Sequence, residues 1–428
     1  MAPDATEHVD GVVDRATGGP EPQERVGRGF IAWYLLAYTS TCLLLIAPLL
    51  VTLALKVDDL VGIDRAPGRL SLIAAAGSVV SMVGNPVFGR LSDRTVSSFG
   101  MRRPWMLIGL AGGTIGILVV ALAPNILVVL LGWCVAQLFF NALLAAQVAV
   151  LPDQVPGSQR GAVAGLLGVA VPVASVTGTY VVDLFAGNDL LMFLAPCAIG
   201  GFFVVAFTVV LPDRRLALAD RPAWTRRELA RTFYVAPKGN PDFGWAFASR
   251  FLFVLAYAFL VTYQAYYLID ELGQPEAKVP HLIFTAVLIQ SVVVVAASLV
   301  GGLLSDRTGR RKVFVVVAGA IYAVALVVVA TANAPRGYLV GMAIGGLGFG
   351  LYMAVDLALV ADVLPNPGEN AKDLGVLNIA GALPFSIAPA LAPLVLVVGG
   401  GSYTVLYLVA AACALAAGAA IVPVRRVR

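Results

Sequence analysis

Charged, histidine and cysteine residues are scarce in this sequence. Of its 428 residues 13% are charged, about half the usual share of a soluble protein, and 59% are hydrophobic. Only two histidines and four cysteines are present, and Cys42, Cys134, Cys197 and Cys413 each lie alone within an apolar run. This distribution excludes a disulfide framework and a zinc site, and a net charge of +4 is too small to indicate a nucleic-acid partner. We expect no metal and no cofactor.

What the sequence contains instead is a series of long apolar runs between Phe30 and Val422. Many reach the length of about 20 residues that crosses a bilayer as a helix. The predicted fold class is therefore an all-α polytopic membrane protein in a lipid bilayer. Breaks at proline, glycine and charged clusters predict twelve spans, near residues 29–56, 68–90, 105–123, 125–150, 161–183, 188–211, 244–271, 280–303, 313–333, 336–363, 373–398 and 401–423.

A polar segment divides these spans into two sets of six. Residues 224–234 within that segment predict either a basic amphipathic helix on the membrane surface or a plain charged linker. The N-terminal residues lack the features of a cleavable signal, so we expect a disordered cytoplasmic tail. The predicted organisation is a tail at 1–27, a six-helix bundle at 28–211, a cytoplasmic linker at 212–243, a second six-helix bundle at 244–424 and a basic tail at 425–428.

Lysines and arginines are distributed unevenly between the predicted loops. With both termini inside, the cytoplasmic segments hold 24 of the 29 basic residues, and the outside keeps Lys56, Arg65, Arg69, Lys278 and Arg336. Cytoplasmic loops of membrane proteins carry such an excess of positive charge, which predicts that both termini are cytoplasmic. Only five basic residues are lysines. This skew indicates a bacterial genome rich in G and C, so the predicted location is the bacterial cytoplasmic membrane.

A short motif occurs once in each predicted half. Gly89-Arg-Leu-Ser-Asp93-Arg94 returns 213 residues later as Gly302-Leu-Leu-Ser-Asp306-Arg307, and a basic cluster follows each copy. A second echo relates Asp153-Gln-Val-Pro156 to Asp362-Val-Leu-Pro365. Two echoes in one order at nearly one offset indicate two similar six-helix halves. Transporters use this construction to present a midplane site to the two sides in turn.

The repeated motif resembles the cytoplasmic loop motif of the major facilitator superfamily. Its longer first copy, from Ser92 to Trp105, is similar to that of plant sucrose carriers and of the glycoside–pentoside–hexuronide:cation symporters, as is the segment from Lys372 to Pro384. The resemblance implies two pseudo-symmetric six-helix bundles that move a small solute by alternating access. We expect the transporter to act as a monomer.

The motif residues are predicted to gate the cytoplasmic side. Gly89 and Gly302 at helix ends would let a neighbouring helix approach closely, and Asp93 would gain about 0.3–1 kcal/mol beside a helix N-terminus. The resemblance implies that Asp93 meets the start of span eleven near Asp373 and that Asp306 meets span five. Alternatively, the arginines only satisfy the topology rule. The predicted gating residues are Gly89, Asp93, Arg94, Arg102, Arg103, Gly302, Asp306, Arg307, Arg310 and Arg311.

The resemblance implies that spans one, four, seven and ten line the cargo cavity. Their polar residues recur one helical turn apart, as in Gln137 and Asn141. Buried amides must face protein or water, because lipid cannot satisfy them. Aromatic faces with a few amides suit a sugar, and they suit a planar amphipathic compound almost as well. The predicted substrate-binding residues are Tyr34, Tyr38, Gln137, Asn141, Tyr257, Tyr263, Gln264, Tyr267, Tyr352 and Asn378.

Two carboxylates are candidates for proton coupling. Asp356 lies inside the predicted tenth span, where a charge costs about 2.5–3.5 kcal/mol to insert. It is either a proton carrier or a structural carboxylate paired with Arg160 or Lys372. Asp183, at the outer end of span five, is either a second proton carrier or an exposed surface residue.

The predicted function is uptake of a sugar or glycoside together with a proton, and the alternative is proton-driven export of small amphipathic compounds. Span one carries no carboxylate between Phe30 and Leu55, unlike the sugar carriers of the resembled families, which argues against a sodium site. Span five lacks the Gly-Pro-Gly-Gly pattern of many drug–proton exporters. We expect no enzyme, because no nucleophile–base pair is present, and no ligand sensor, because the tails are too short for an added domain.

Overall fold

A computed structural model of the chain describes residues 25–156, 159, 163, 166–217, 241–363 and 380–424. Within these residues, twelve helices are long and apolar enough to cross a membrane and no strand occurs. The predicted all-α fold with twelve transmembrane helices is therefore confirmed. Several predicted features lie outside the described residues, among them residues 1–24 of the tail, the possible amphipathic helix at 224–234, Asn378 and the basic tail at 425–428.

Six helices form the N-terminal half, and short connections make neighbours in sequence antiparallel. Asparagines begin two of them: the Asn125 side chain accepts a hydrogen bond from the Val128 N–H and that of Asn188 from the Leu191 N–H, both at 3.1 Å. The helices are α1 (Arg28–Val61), α2 (Ala66–Asp93), α3 (Arg103–Ala121), α4 (Ile126–Gln154), α5 (Ala170–Leu184) and α6 (Asp189–Val210).

The C-terminal half repeats this arrangement. Proline occupies the first turn of α8 and α11, where its missing N–H costs no helical hydrogen bond. The helices are α7 (Pro241–Glu271), α8 (Val279–Thr308), α9 (Arg311–Ala330), α10 (Pro335–Val363), α11 (Pro384–Val398) and α12 (Tyr403–Ile421).

The first helix of each half contains a π turn. In α1 it is Pro48–Thr52 and in α7 it is Tyr267–Glu271. Beyond its π turn α1 continues to Val61, five residues past the predicted end at residue 56. The expectation of a first span without carboxylates therefore holds only up to Leu55, because Asp58 and Asp59 lie on its last turns.

Glycines set the closest helix contacts within each half. A Cβ added to Gly116 on α3 would lie 2.5 Å from the backbone nitrogen of Ala136 on α4, and one on Gly348 of α10 would lie 2.8 Å from that of Tyr322 on α9. Such distances are possible only without a side chain. The same helix pair of each half, the third and the fourth, is thus joined backbone to backbone.

The close approach predicted at Gly89 and Gly302 is not found. Among the described residues, an added Cβ on Gly302 would meet nothing within 4 Å, and one on Gly89 would meet only Ala145 at 4.0 Å, an ordinary contact. On α8 the preceding glycine has this role, since a Cβ on Gly301 would lie 2.8 Å from the Leu351 side chain.

We call the end of the bundle with residues 25–27, 211–217 and 422–424 the tail end, and the opposite end the far end. The α2–α3 and α8–α9 loops lie at the tail end. The two halves contact each other through α2 with α11, through α5 with α8, and at the far end through α1 with α7. The tail end is the one that the distribution of basic residues predicts to be cytoplasmic.

Candidate transport pathway

Asp356 lies in an ion pair inside the C-terminal half. One of its carboxylate oxygens is 3.1 Å from Nη1 of Arg250 on α7, and its side chain is 6% exposed. Tyr352, one turn away on α10, is hydrogen-bonded to the same carboxylate and stacks on Phe253, with ring centroids 3.9 Å apart. Arg160 and Lys372, the partners proposed from sequence, lie outside the described residues. In this conformation Asp356 therefore has a cationic partner that sequence reasoning did not identify.

The sequence contained a signal that could have identified Arg250 as a residue of this site. It lies nine residues inside α7, within an apolar run, so the argument that singled out Asp356 applies to it equally. It was counted among the basic residues of the cytoplasmic side. Its side chain is 18% exposed, and it approaches the residues just before α11, because a Cβ on Gly381 would lie 3.5 Å from Nη2.

An aromatic face adjoins this ion pair on the side of the far end. Tyr257 on α7 packs against Phe349 on α10, with centroids 4.6 Å apart, and against Phe385 on α11 at 6.2 Å. All three rings are partly exposed, although Tyr257 and Phe349 lie near the middle of their helices. They therefore border an interior space.

A cluster of amides occupies the N-terminal half. Asn141 donates to the backbone oxygen of Gln137 at 2.8 Å and to its side-chain oxygen at 3.2 Å, and it accepts from Asn85 on α2 at 3.4 Å. Asn85 was not among the predicted residues, although an amide within an apolar span was a sufficient signal. Gln137 and Asn141 are thus brought together as predicted from their spacing.

The aromatic face and the amide cluster meet where α2 contacts α11. Ser78 on α2 donates to the backbone oxygen of Phe385 at 3.2 Å. The neighbouring Gly77 lies against Gln137, whose Cγ would be 3.2 Å from an added Cβ. The polar surface of one half and the aromatic surface of the other are therefore contiguous.

Tyr34 and Tyr38 do not share one environment. Tyr34 is fully buried, donates to the backbone oxygen of Gln147 at 2.8 Å and stacks on Phe207, with centroids 5.4 Å apart. Its contacts hold α1 against α4 and α6. Tyr38 is partly exposed and packs beside Cys42 and Ala174. Of the two, Tyr38 is the one with surface available to a solute.

The polar residues of α7 are divided between two roles. Tyr263 is hydrogen-bonded to Ser71 of α2 and donates to the backbone oxygen of Pro389 on α11 at 3.4 Å, so it joins the two halves. Gln264 accepts from Tyr338 at 2.9 Å, and its amide nitrogen has no partner among the described residues. Tyr267 donates to the backbone oxygen of Val329 at 2.5 Å, which ties α7 to α9.

Neighbouring contacts also close the far end. Tyr266 is fully buried and donates to the backbone oxygen of Ala54 on α1 at 3.1 Å. It therefore joins the two halves in the interior of the protein and is not at the membrane surface. Asp183 is not a free surface residue either, because it lies 3.0 Å from Nδ1 of His281 on α8, a pair that joins the halves.

At the tail end, Arg102 is the centre of an ionic network. It is 3% exposed and pairs with Asp93 at 2.6 Å and with Asp153 on α4 at 2.7 Å. Burial lowers the pKa of Arg102, but the two carboxylates more than offset this and its pKa is raised. The motif thus joins α2, α3 and α4 of one half. The start of span eleven, which the resemblance gives as the partner of Asp93, lies outside the described residues.

Asp213, which follows α6, fixes the start of α3. One of its oxygens accepts hydrogen bonds from the backbone N–H groups of Arg102 at 2.7 Å and of Arg103 at 2.8 Å. These N–H groups lie at the N-terminus of α3, where the helix dipole favours a negative charge. Arg103 also donates to the backbone oxygen of Leu211. Gly100 lies directly against Asp213 with a φ of 109°, a conformation that favours glycine. Sequence reasoning missed Asp213, because nothing in its neighbourhood marks it as a cap for a distant helix.

The second copy of the motif is described only in part. Gly309 ends α8 with a φ of 63°, so the motif glycine adopts a left-handed conformation in both halves. Arg307 and Arg310 are exposed, Arg94 and Arg311 are partly exposed, and Lys312 donates to the backbone oxygen of Val422 at 3.5 Å. The side chain of Asp306 lies outside the described residues.

Comparison with known proteins decides the family. The sequence matches the profile of the Major Facilitator Superfamily over residues 29–288 and 278–428. The chain belongs to this superfamily. It is therefore a membrane transporter of small molecules and not an enzyme. The sucrose-carrier branch that the motifs resemble is a finer assignment than this match makes.

Individual relatives are similar over parts of the chain. Multidrug resistance protein MdtL of Klebsiella pneumoniae is 33% identical over 127 residues, which are 30% of this chain and 31% of that protein. The MFS-type transporter oryN of Aspergillus oryzae is 33% identical over 171 residues, 37% of this chain and 30% of that protein. The similarity thus spans about a third of the length of these relatives.

Solved structures share the fold over nearly the whole chain. A crystal structure of a mutant of the nucleoside transporter NupG has a TM-score of 0.72 at 13% identity and covers 92% of this chain and 98% of that chain. A bacterial homologue of the human lysosomal transporter Spinster, in an inward-facing and unoccupied conformation, has a TM-score of 0.64 at 15% identity, with 94% and 99% covered. At these identities the likeness shows the fold alone.

Proposed function

We propose that the protein takes up a sugar or glycoside together with a proton across the bacterial cytoplasmic membrane, with both termini in the cytoplasm. The observation that carries this proposal is that the amide cluster of Asn85, Gln137 and Asn141 and the aromatic face of Tyr257 and Phe385 lie on the two sides of the α2–α11 contact. Amides hydrogen-bond the hydroxyls of a sugar ring and an aromatic ring stacks on its CH face. The sucrose-carrier resemblance of the motifs agrees with this cargo.

Asp356 is the proposed site of the coupling proton. Ionised, it is stabilised by Arg250 at 3.1 Å and by Tyr352. A proton that neutralises Asp356 would weaken the ion pair and free the Arg250 guanidinium to hydrogen-bond the cargo. Binding of proton and cargo would then favour each other, as coupling requires.

Export of small amphipathic compounds is the second candidate. The 33% identity to MdtL over 127 residues favours it. An aromatic face bordered by a carboxylate also suits a planar cationic compound. The two candidates differ in cargo and direction and share the proton site.

The test is charge movement in proteoliposomes on a solid-supported membrane, with a panel of disaccharides and glucosides at two pH values. Wild type is expected to give a sugar-evoked, pH-dependent current that Asp356→Asn lacks. The exposed Asp189→Asn is the matched control and keeps the current. Because Asp356→Asn leaves Arg250 unpaired, size-exclusion profiles and the double variant with Arg250→Gln check folding. If wild type gives no current with any sugar of the panel but still binds dyes, sugar uptake is rejected in favour of export.

A further inference from the structure

The far end of α1 holds a carboxylate that the proposed function does not use. Asp58 is 5% exposed and its Oδ2 has no hydrogen-bond partner. None of the ion pairs between described residues includes it. Burial of an ionised carboxylate without a partner is unfavourable, so this position favours the neutral form of the carboxyl group.

The groups around Asp58 make its ionised form less favourable still. Glu276 before α8, Asp59 on its own helix and Asp270 on α7 all act on it electrostatically. The phenols of Tyr266 and Tyr403 complete the surroundings on the side of the C-terminal half. When the far end is closed, acidic groups of both halves are thus brought together around a buried carboxyl.

Cations lie near this region without neutralising Asp58. Lys56 borders a cleft together with Asp59 and Glu276, and Arg65 and Arg69 border another with Asp64 and Asp270. These side chains lie at the rims of the clefts, whereas Asp58 is beneath the surface. Among the described residues, no three His, Cys, Asp or Glu side chains are grouped closely enough to hold a metal ion.

We propose that Asp58 is a proton-binding site that controls closure of the far end. The closed conformation requires neutral Asp58, and opening exposes the carboxyl to water, where it ionises. Because the closed state binds this proton more tightly than the open state, acid favours closure and alkali favours opening. The inference concerns the far end and stands whether or not Asp356 carries the coupling proton.

The test measures the distance across the far end by double electron–electron resonance in proteoliposomes. Spin labels at Gly68→Cys and Val397→Cys, in a background with the four native cysteines replaced by alanine, suit this purpose. Both positions border the cleft between the halves; a side chain at Gly68 meets nothing within 4 Å, and Val397 is 81% exposed. One linked proton changes the ratio of closed to open molecules by about tenfold per pH unit at most.

Wild type is expected to shift towards the shorter distance as the pH falls. Asp58→Asn is expected to stay closed and to lose this dependence, whereas the exposed neighbour variant Asp59→Asn keeps it and moves it to lower pH, because one negative neighbour of Asp58 is removed. His281→Gln is a second control, because His281 with Asp183 is the other titratable pair that joins the halves. A pH dependence that survives Asp58→Asn, or is removed by His281→Gln alone, overturns the proposal, as does a wild-type distance independent of pH. The readout needs no substrate, so it is separate from the sugar-evoked current.

Discussion

Arg102 shows how one side chain combines a local and a distant role. The loop motif predicted its position and its charge, and the structure adds that it is buried between a half-exposed carboxylate and a largely buried one. The Asp153 partner was visible only as an echo in the repeat. A pattern along the chain identifies both residues, but only the packing of α3 on α4 brings them to 2.7 Å.

The two carboxylates on Arg102 are expected to differ in what they stabilise. Asp153→Asn should lower the free energy of unfolding by about 1.5–3 kcal/mol, because it weakens the less exposed of the two pairs while Asp93 still neutralises Arg102. Asp93→Asn should cost no more than about 1 kcal/mol, since Asp93 is 51% exposed. Thermal unfolding in detergent measures both.

The same variants test the gating proposal. Asp93→Asn should slow turnover while leaving substrate binding intact. If both variants lower the free energy of unfolding equally, burial does not determine how much each ion pair of Arg102 stabilises the fold. Unchanged turnover in Asp93→Asn would remove that residue from the gate.

The limits of periodicity are clear at Tyr34 and Tyr267. Helical spacing predicted that each shares a face with other polar residues, and the resemblance implied that their spans line the cavity, so both were predicted to bind substrate. The structure buries Tyr34 against Phe207 and ties Tyr267 to Val329. A helix meets different neighbours at different depths, so a shared face does not define a shared environment. Sequence alone does not contain the rotation of a helix relative to its neighbours.

At the scale of the helix, the apolar runs predicted all twelve spans, and the largest differences are at their ends. The end of α1 was placed at residue 56, because Asp58 and Asp59 resemble a loop, whereas the helix continues to Val61. Charge at a span end therefore does not distinguish a loop from a helix whose last turns are covered by the other half. The glycine contacts were equally inaccessible, because Gly116 and Gly302 look alike in sequence.

Gly116→Ala is expected to separate α3 from α4. The added Cβ would lie 2.5 Å from the Ala136 nitrogen, and overpacking of this kind costs about 1–3 kcal/mol. Gly201→Ala on α6 is the matched control, because its nearest neighbour would be a Leu110 methyl at 3.7 Å, and alanine favours a helix by about 1 kcal/mol over glycine. The melting temperature should fall in Gly116→Ala and not in Gly201→Ala. Equal melting temperatures would mean that the helices part without cost.

At the scale of the whole molecule, the internal repeat predicted two halves, and the hydrogen bonds between them define the conformation. Ser71 with Tyr263, Ala54 with Tyr266 and Asp183 with His281 all lie towards the far end. The far end is therefore closed here. No sequence pattern predicts which of two alternating states is the more stable, because the difference between them is small compared with the energy of the fold.

Tyr263→Phe is expected to open the far end without harming the fold. It removes the hydroxyl that bonds Ser71 and Pro389 in the two halves, and a hydrogen bond of about 0.5–1.5 kcal/mol corresponds to a two- to tenfold change in the closed population. Tyr267→Phe is the matched control, since its hydroxyl bonds only within the C-terminal half. The spin-label distance across the far end should change in Tyr263→Phe. In Tyr267→Phe the free energy of unfolding should change instead. The reverse result would assign Tyr263 to the fold rather than to closure.

The π turn of α1 has a consequence for how this chain is aligned with its relatives. A π turn holds one residue more than the α-helix around it, and each residue of an α-helix rotates the chain by about 100°. A lineage that lost one residue between Pro48 and Thr52 would keep the helix but turn Asp58 away from the other half. An alignment gap at this point therefore changes the helix face on which every later residue of α1 lies. Positions after the π turn are better matched to those of relatives by what they contact than by their order along the chain.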